Sequence, residues 1–192
     1  MYQKYFKRLF DIVFALILLL IFFPLMILLF ILVWLFIGYP IFSQRRPGLN
    51  NKIFILYKFK TLYDPLKNVS EKNRQNKLGN FLRKSGLDEL PQLINIIKNN
   101  MSFVGPRPLL EEYLEKYSKY EKKRHSVKPG ITGLAQINPD PSGVKSWKNS
   151  IKLDIYYTSN VSFFLDLKII IKTFKLIIFK KKQYKDFKKF YE

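Results

Sequence analysis

Asp88 and Glu89 are adjacent carboxylates at the start of a helical pattern in which Leu90, Leu93, Ile94 and Ile97 share one face. One reading is electrostatic: acidic residues in a first turn complement the helix dipole. The other is chemical: a helix start offers unpaired N–H groups to phosphate, and Asp88 there is placed to be a nucleophile or to ligate Mg²⁺ together with substrate phosphates. Arg107 stands between Pro106 and Pro108. The prolines fix their own φ and restrict Arg107 toward extended geometry, which suits bidentate phosphate binding; a solvated arginine on a surface turn is the plain alternative. Lys58 and Lys60 share one face of a strand pattern, either to neutralise phosphate or as a solvated strand face. His125, beside Arg124, reads as structural rather than as a general base. Gly130 and Gly133 could shape a phosphate nest.

The composition narrows the partners. Lys and Arg outnumber Asp and Glu by 34 to 14 in 192 residues, a net charge of +20. Such an excess suits a polyanion: nucleic acid, anionic lipid or a phosphorylated substrate. No nucleic-acid recognition motif is present, so nucleic acid is set aside. The absence of cysteine excludes disulfides and thiolate metal sites, and a single histidine excludes a multi-histidine site.

The elements that must position these residues begin with Ile12 to Ile37, 26 residues without a charge or a polar side chain. Such a run reads as a membrane segment, and its length argues against a cleaved signal peptide. Pro24 lies near its midpoint, with twelve residues before it and thirteen after. Each half is about 18 Å long, close to half a bilayer. Lys4, Lys7 and Arg8 precede the run, and Arg45, Arg46 and Lys52 follow it. Basic flanks favour the cytoplasmic side, and here both are basic. A hairpin bent at Pro24 and a kinked simple span both fit these features.

The rest of the chain reads as α+β, mainly α, with an anchor at 1–38 and a catalytic region at 39–192. Ile41–Arg45 and Ile53–Thr61 flank a turn-rich stretch and predict a β-hairpin. Residues 64–77 predict a loop, a candidate lid. Helices are expected at Leu78–Lys84, from Asp88, and over Leu109–Arg124 in charged form. Residues 128–133 read as a loop, and Trp147–Tyr157 as a further helix. Val161–Tyr184 mixes aromatic and branched residues with lysines. It reads as an interfacial amphipathic helix on anionic lipid, or as a buried helix with a basic outer face.

The segments KRLFDIVFALILLL, FSQRRPGLNNKIFILYKFKT, LRKSGLDELPQLINIIKNNMSFVGPRP, RHSVKPGITGLAQIN and KLDIYYTSNVSFFLDLKIIIKT together resemble the bacterial sugar transferases. These are monotopic polyprenyl-phosphate phosphoglycosyl transferases. The resemblance covers nearly the whole chain, and LDELPQL followed by VGPRP is its most specific part. It implies transfer of a sugar-1-phosphate from a UDP-sugar to polyprenyl (undecaprenyl) phosphate, with release of UMP and initiation of glycoconjugate synthesis. It implies Asp88 as nucleophile forming an aspartyl-phosphosugar, Glu89 as its partner and Mg²⁺ at the diphosphate with Asp88 as a ligand. It also implies a re-entrant helix-break-helix bent at Pro24, on the cytoplasmic face of a bacterial inner membrane. Electrostatically, Arg107, Lys58 and Lys60 are the candidate phosphate-binding cations for such a reaction. Asp154 and Asp166 match recurrent acids of the family, and with Pro106 and Pro108 they are candidate supporting residues.

Three positions depart from the family pattern: Phe23 stands for Ser before the membrane proline, Leu134 for Trp, and Asn138–Gly143 for Asn-Gly-Arg. The alternative from another class is a non-catalytic basic scaffold on anionic lipid.

Overall fold

The computed structural model describes residues 2–64, 70–138 and 146–178. The chain divides into two compact units, one drawn from Met1–Leu9, Arg46–Phe54 and Asn100–Glu192, the other from Phe10–Arg45 and Ile55–Asn99.

A π-helical lead, Tyr2–Phe6, runs into helix α1, Lys7–Phe36. Pro24 lies inside α1. The two expected halves are thus joined in one helical element with Pro24 inside it. Proline removes one hydrogen bond, yet the flanking residues keep the backbone helical through it. Thirty residues make a helix of about 45 Å. It is long and apolar enough to cross a membrane by length and composition. The helix stops at Gly38, whose φ of 110° suits a residue without Cβ. Its N–H and that of Ile37 both donate to the Val33 carbonyl.

Leu29 and Val33 on α1, with Ile37 just past its end, recur every four residues and pack with Phe59 and Leu82. Most of the remaining helix surface is exposed and apolar, Leu20 reaching 79% and Leu35 70%. Strands β1, Ile41–Pro47, and β2, Ile53–Phe59, pair as the expected hairpin. Its turn holds Asn50 and Asn51 in left-handed conformation, which asparagine tolerates best among side-chain-bearing residues.

Helix α2, Lys77–Ser85, starts at Asn76, whose side chain accepts the Gly79 N–H at 2.6 Å. A 3₁₀ turn, Leu87–Glu89, precedes the short helix α3, Gln92–Ile97. The anticipated face of α3 is only partly right. Gln92, Leu93, Asn95 and Ile96 are buried, whereas Ile94 is 37% exposed. Residues 65–69 of the anticipated lid lie outside the described residues; Glu71–Arg74 forms a 3₁₀ turn, and Leu62 bridges Gln75.

The other unit holds a parallel pair, β3 at Ser102–Val104 and β4 at Gly130–Thr132, in register Ser102↔Gly130. The stretch read as a loop at 128–133 thus contains a strand. Helices α4, Leu134–Ile137, α5, Trp147–Ser159, and α6, Phe163–Ile178, follow. Val104, Val127, Ile137, Tyr157 and Ile169 form one core; Tyr117, Ile151 and Ile155 form a second.

The charged helix expected over 109–124 is instead two 3₁₀ segments, Glu111–Leu114 and Glu121–Ser126. The physical cause is a reciprocal pair: Ser118 N–H donates to Glu121 Oε2 at 2.8 Å, and Glu121 N–H to Ser118 Oγ at 3.2 Å. That is a capping box, which starts a new turn where the charge pattern suggested continuity. On α6, Ile169 is buried while Phe164, Leu167, Ile171 and Phe174 are exposed. The rest of the segment expected to reach Tyr184 lies outside the described residues.

Candidate active site

The Asp88-Glu89 pair sits where α2 has been stopped. Gly86, at φ 75°, ends α2 in the left-handed region, and its carbonyl accepts the Glu89 N–H at 3.1 Å. The pair therefore lies in a 3₁₀ turn ahead of α3, not in an α-helical first turn as the spacing suggested. Asp88 is buried at 8% exposure. Lys58 Nζ donates to Glu89 Oε1 at 2.8 Å, with both side chains about one-fifth exposed. Lys60 pairs with exposed Asp64 at 2.6 Å. Of the two strand lysines, Lys58 is thus the one paired with the dyad.

Three contacts fix the end of β2 on α2. Asn76 Nδ2 donates to the Thr61 carbonyl at 3.2 Å, and Arg83 Nε to Thr61 Oγ1 at 2.7 Å. A Cβ on Gly79 would lie 1.9 Å from the Thr61 carbonyl oxygen, so only glycine permits this approach. On α3, buried Asn95 bonds the Ile55 carbonyl and the Tyr57 N–H. Sequence reasoning passed over Asn95; a polar residue inside an apolar helical run was the available signal.

Among the described residues no group of three or more His, Cys, Asp or Glu could hold a metal. Mg²⁺ characteristically uses one or two carboxylates and takes its remaining ligands from phosphates and water. The adjacent carboxylates of Asp88 and Glu89 fit that donor set, as they would not fit an all-protein cage.

In the other unit, the Pro106-Arg107-Pro108 segment is held by three consecutive carbonyls. Pro106 O accepts from Gly130 N–H at 3.1 Å, Arg107 O from Arg124 Nη2 at 2.8 Å, and Pro108 O from Arg46 Nη1 at 3.3 Å. Prolines carry no N–H, so carbonyls are what the backbone can offer at those two positions. Pro106 and Pro108 are buried and Arg107 is half-buried.

Arg124, 1% exposed, is the hub that sequence reasoning missed. It donates to Asp154 Oδ2 from Nη2 at 2.6 Å and from Nε at 3.0 Å, and to the Tyr117 hydroxyl at 3.1 Å. Burial pushes the Asp154 carboxyl up from its ordinary value, against the pull of Arg124. Burial likewise drives the Tyr117 hydroxyl up to about 12. His125 Nδ1 lies 2.5 Å from Asn51 Oδ1, and its Nε2 lies 3.4 Å from Arg124 Nη1. Arginine only donates, so Nε2 accepts and the ring is neutral. This agrees with a structural role for His125.

Asp154 and Asp166 both serve as scaffold ties. Asp166 takes Lys7 Nζ at 2.5 Å, the Tyr2 hydroxyl at 2.7 Å and the Tyr157 hydroxyl at 2.7 Å. Gly130 and Gly133 serve the close approach of β3 and β4. Cβ atoms there would come within 2.1 Å of Gly105 N and 2.3 Å of Gly105 O. That packing requires glycine at both positions. Positions 139–143 of the divergent loop lie outside the described residues.

Residues 2–180 match the family model described as Bacterial sugar transferase. The chain is 45% identical over 177 residues to the "Uncharacterized sugar transferase EpsL" of Bacillus subtilis (strain 168), covering 90% of this chain and 87% of that one. It is 37% identical over 180 residues to the "UDP-glucose:undecaprenyl-phosphate glucose-1-phosphate transferase" of Escherichia coli (strain K12), covering 87% of this chain and 39% of that one. It is 34% identical over 197 residues to the "Undecaprenyl-phosphate galactose phosphotransferase" of Salmonella typhimurium, covering 92% and 41% respectively. The chain thus spans most of EpsL but well under half of the two longer relatives. With LDELPQL and VGPRP both inside the matched span, the chain belongs to the bacterial sugar transferase family.

Proposed function

We propose that this protein transfers a sugar-1-phosphate from a UDP-sugar to polyprenyl phosphate, through a covalent intermediate on Asp88, and so starts the assembly of a membrane-linked glycan. The observation that carries the reading is the dyad itself: buried Asp88 beside Glu89, whose carboxylate is held by Lys58 at 2.8 Å. Family membership and the reactions named for the longer relatives support it.

In the first step an Asp88 carboxylate oxygen bonds to the β-phosphorus. The bond from that phosphorus to the bridging diphosphate oxygen breaks, and UMP leaves with the electron pair. In the second step an oxygen of polyprenyl phosphate bonds to the same phosphorus and Asp88 leaves as a carboxylate. Splitting the transfer in two means the soluble donor and the lipid acceptor need not be bound together. A carboxylate attacks an anionic diphosphate poorly unless charge is neutralised. Mg²⁺, held by Asp88 with the substrate phosphates, supplies that neutralisation when bound. Lys58 fixes the direction of the Glu89 carboxylate. Arg107 and Lys60 are assigned phosphate binding from their motifs.

The same proposal places α1 as a re-entrant anchor, residues 1–38, with residues 39–192 catalytic on the cytoplasmic face of the inner membrane. The acceptor phosphate lies at the headgroup plane, so the nucleophile belongs there too. The exposed apolar residues of α6, interleaved with Lys168, Lys172 and Lys175, suit seating on anionic lipid.

The test is nucleotide release. Detergent-solubilised protein with Mg²⁺ and polyprenyl phosphate should release UMP from one of a panel of UDP-sugars: glucose, galactose, N-acetylated and di-N-acetylated amino sugars. Asp88→Asn should abolish the release. Release of UDP would reject the mechanism, and no turnover together with salt-sensitive binding to anionic vesicles would favour the scaffold alternative.

A further inference from the structure

We infer that Asn95 is the positioning residue that sets the register of β2 against α3 and thereby holds Lys58 on Glu89. The inference rests on Asp88-Glu89 being the reacting dyad. Asn95 is 0% exposed, and both ends of its amide are used: Nδ2 donates to the Ile55 carbonyl at 2.6 Å, and Oδ1 accepts the Tyr57 N–H at 3.1 Å. The carbonyl of one strand residue and the N–H two residues on face the same edge, where a neighbouring strand would bond them. A side-chain amide occupies that place here. An apolar residue at 95 would leave a strand donor and a strand acceptor without these partners in a part-buried setting. Helix propensity does not explain Asn95, since asparagine is a poor helix former and α3 has only six residues.

The geometry gives the dependence a direction. Lys58 follows Tyr57 directly on β2, and Glu89 precedes Asn95 by six residues. The amide contact and the ion pair therefore join the same two stretches of chain. A slip of β2 by one residue turns every side chain to the opposite face, which would carry Lys58 away from Glu89. The ion pair cannot set that register alone. It is partly exposed, and the lysine stem is flexible, so it tolerates many geometries. The amide accepts one. Asn95 therefore positions, and Lys58 follows.

A double-mutant cycle on the full chain tests this. In the UMP-release assay, Asn95→Leu should lower kcat by roughly 10- to 100-fold, the scale of a 1 Å misplacement, with KM for the UDP-sugar changed less than about threefold. In a Lys58→Met background the further loss should shrink below about threefold, because the contact through which Asn95 acts is already gone. Equal losses in both backgrounds, or no loss, overturn the inference. If Asn95→Leu does not fold, Asn95→Asp repeats the cycle; it keeps the shape and the acceptor for Tyr57 but loses the donor to Ile55. The same cycle read in urea unfolding keeps the two ideas apart. If wild type released no UMP, the functional reading would fail, while additive unfolding effects would independently overturn the role of Asn95.

Discussion

Arg124 donates from Nη2 to the main-chain carbonyl of Arg107 at 2.8 Å, so the side chain of one arginine holds the backbone of another. The same guanidinium pairs with buried Asp154. Removing it would strand a carboxylate without its counter-charge. Arg124→Met should therefore cost about 3–5 kcal/mol in urea unfolding. Arg124→Lys should recover little of that, because an ammonium lacks the planar fork that reaches Asp154, Tyr117 and Arg107 together. A loss below about 1 kcal/mol for either variant, within the spread of exposed pairs, would contradict the hub role.

His125 predicts an acid sensitivity. Burial first, then the charges of Arg124 and Lys122, push its pKa down from 6.5 to about 4. Between those values the unfolded chain binds a proton that the folded chain refuses. The contribution is complete above about 6.5, declines as pH falls and is gone near 4. His125→Gln removes this linkage, so the gap in unfolding midpoint between wild type and variant should narrow steadily from pH 7 to pH 4. A gap independent of pH would refute a neutral, buried ring.

Gly79→Ala should destabilise by about 1–3 kcal/mol or more, the range for overpacking, because the new methyl meets the Thr61 carbonyl at 1.9 Å and backbone cannot swing aside. Gly86→Ala meets nothing within 4 Å and should suffer only the strain of a φ of 75°, about 1 kcal/mol. Thermal unfolding of the two variants side by side checks the order; equal effects would show that the approach of α2 to β2 is not tight.

These glycines show where sequence reading succeeds and where it stops. The hairpin, the stop at Gly86 and the helix Trp147–Ser159 follow from local chemistry, and turn residues or apolar spacing announce each. The pairing of β3 with β4 joins residues 102 and 130, and three residues per strand give no period to detect. Gly105, Gly130 and Gly133 were visible, yet their requirement comes from the partner backbone. The dyad and the Pro-Arg-Pro segment stood out by residue type. Arg124 and Asn95, which hold their surroundings in place, did not, because an arginine in a basic run and an asparagine in a helix look ordinary until their partners are known.

The re-entrant reading of α1 predicts that both chain ends lie on one side of the membrane. The sequence has no cysteine, so single cysteines report cleanly. Gln3→Cys and Glu192→Cys should each resist a membrane-impermeant maleimide added to intact cells, and each should label after permeabilisation. Labelling of one end alone from outside would make α1 a simple span.

The covalent step is reached most directly by intact-mass measurement of the protein incubated with Mg²⁺ and the turned-over UDP-sugar, with no lipid acceptor. The account predicts one sugar-phosphate added to the peptide carrying Asp88, absent in Asp88→Asn and discharged when polyprenyl phosphate is supplied. An unmodified protein whose UMP release requires donor and acceptor together would contradict it.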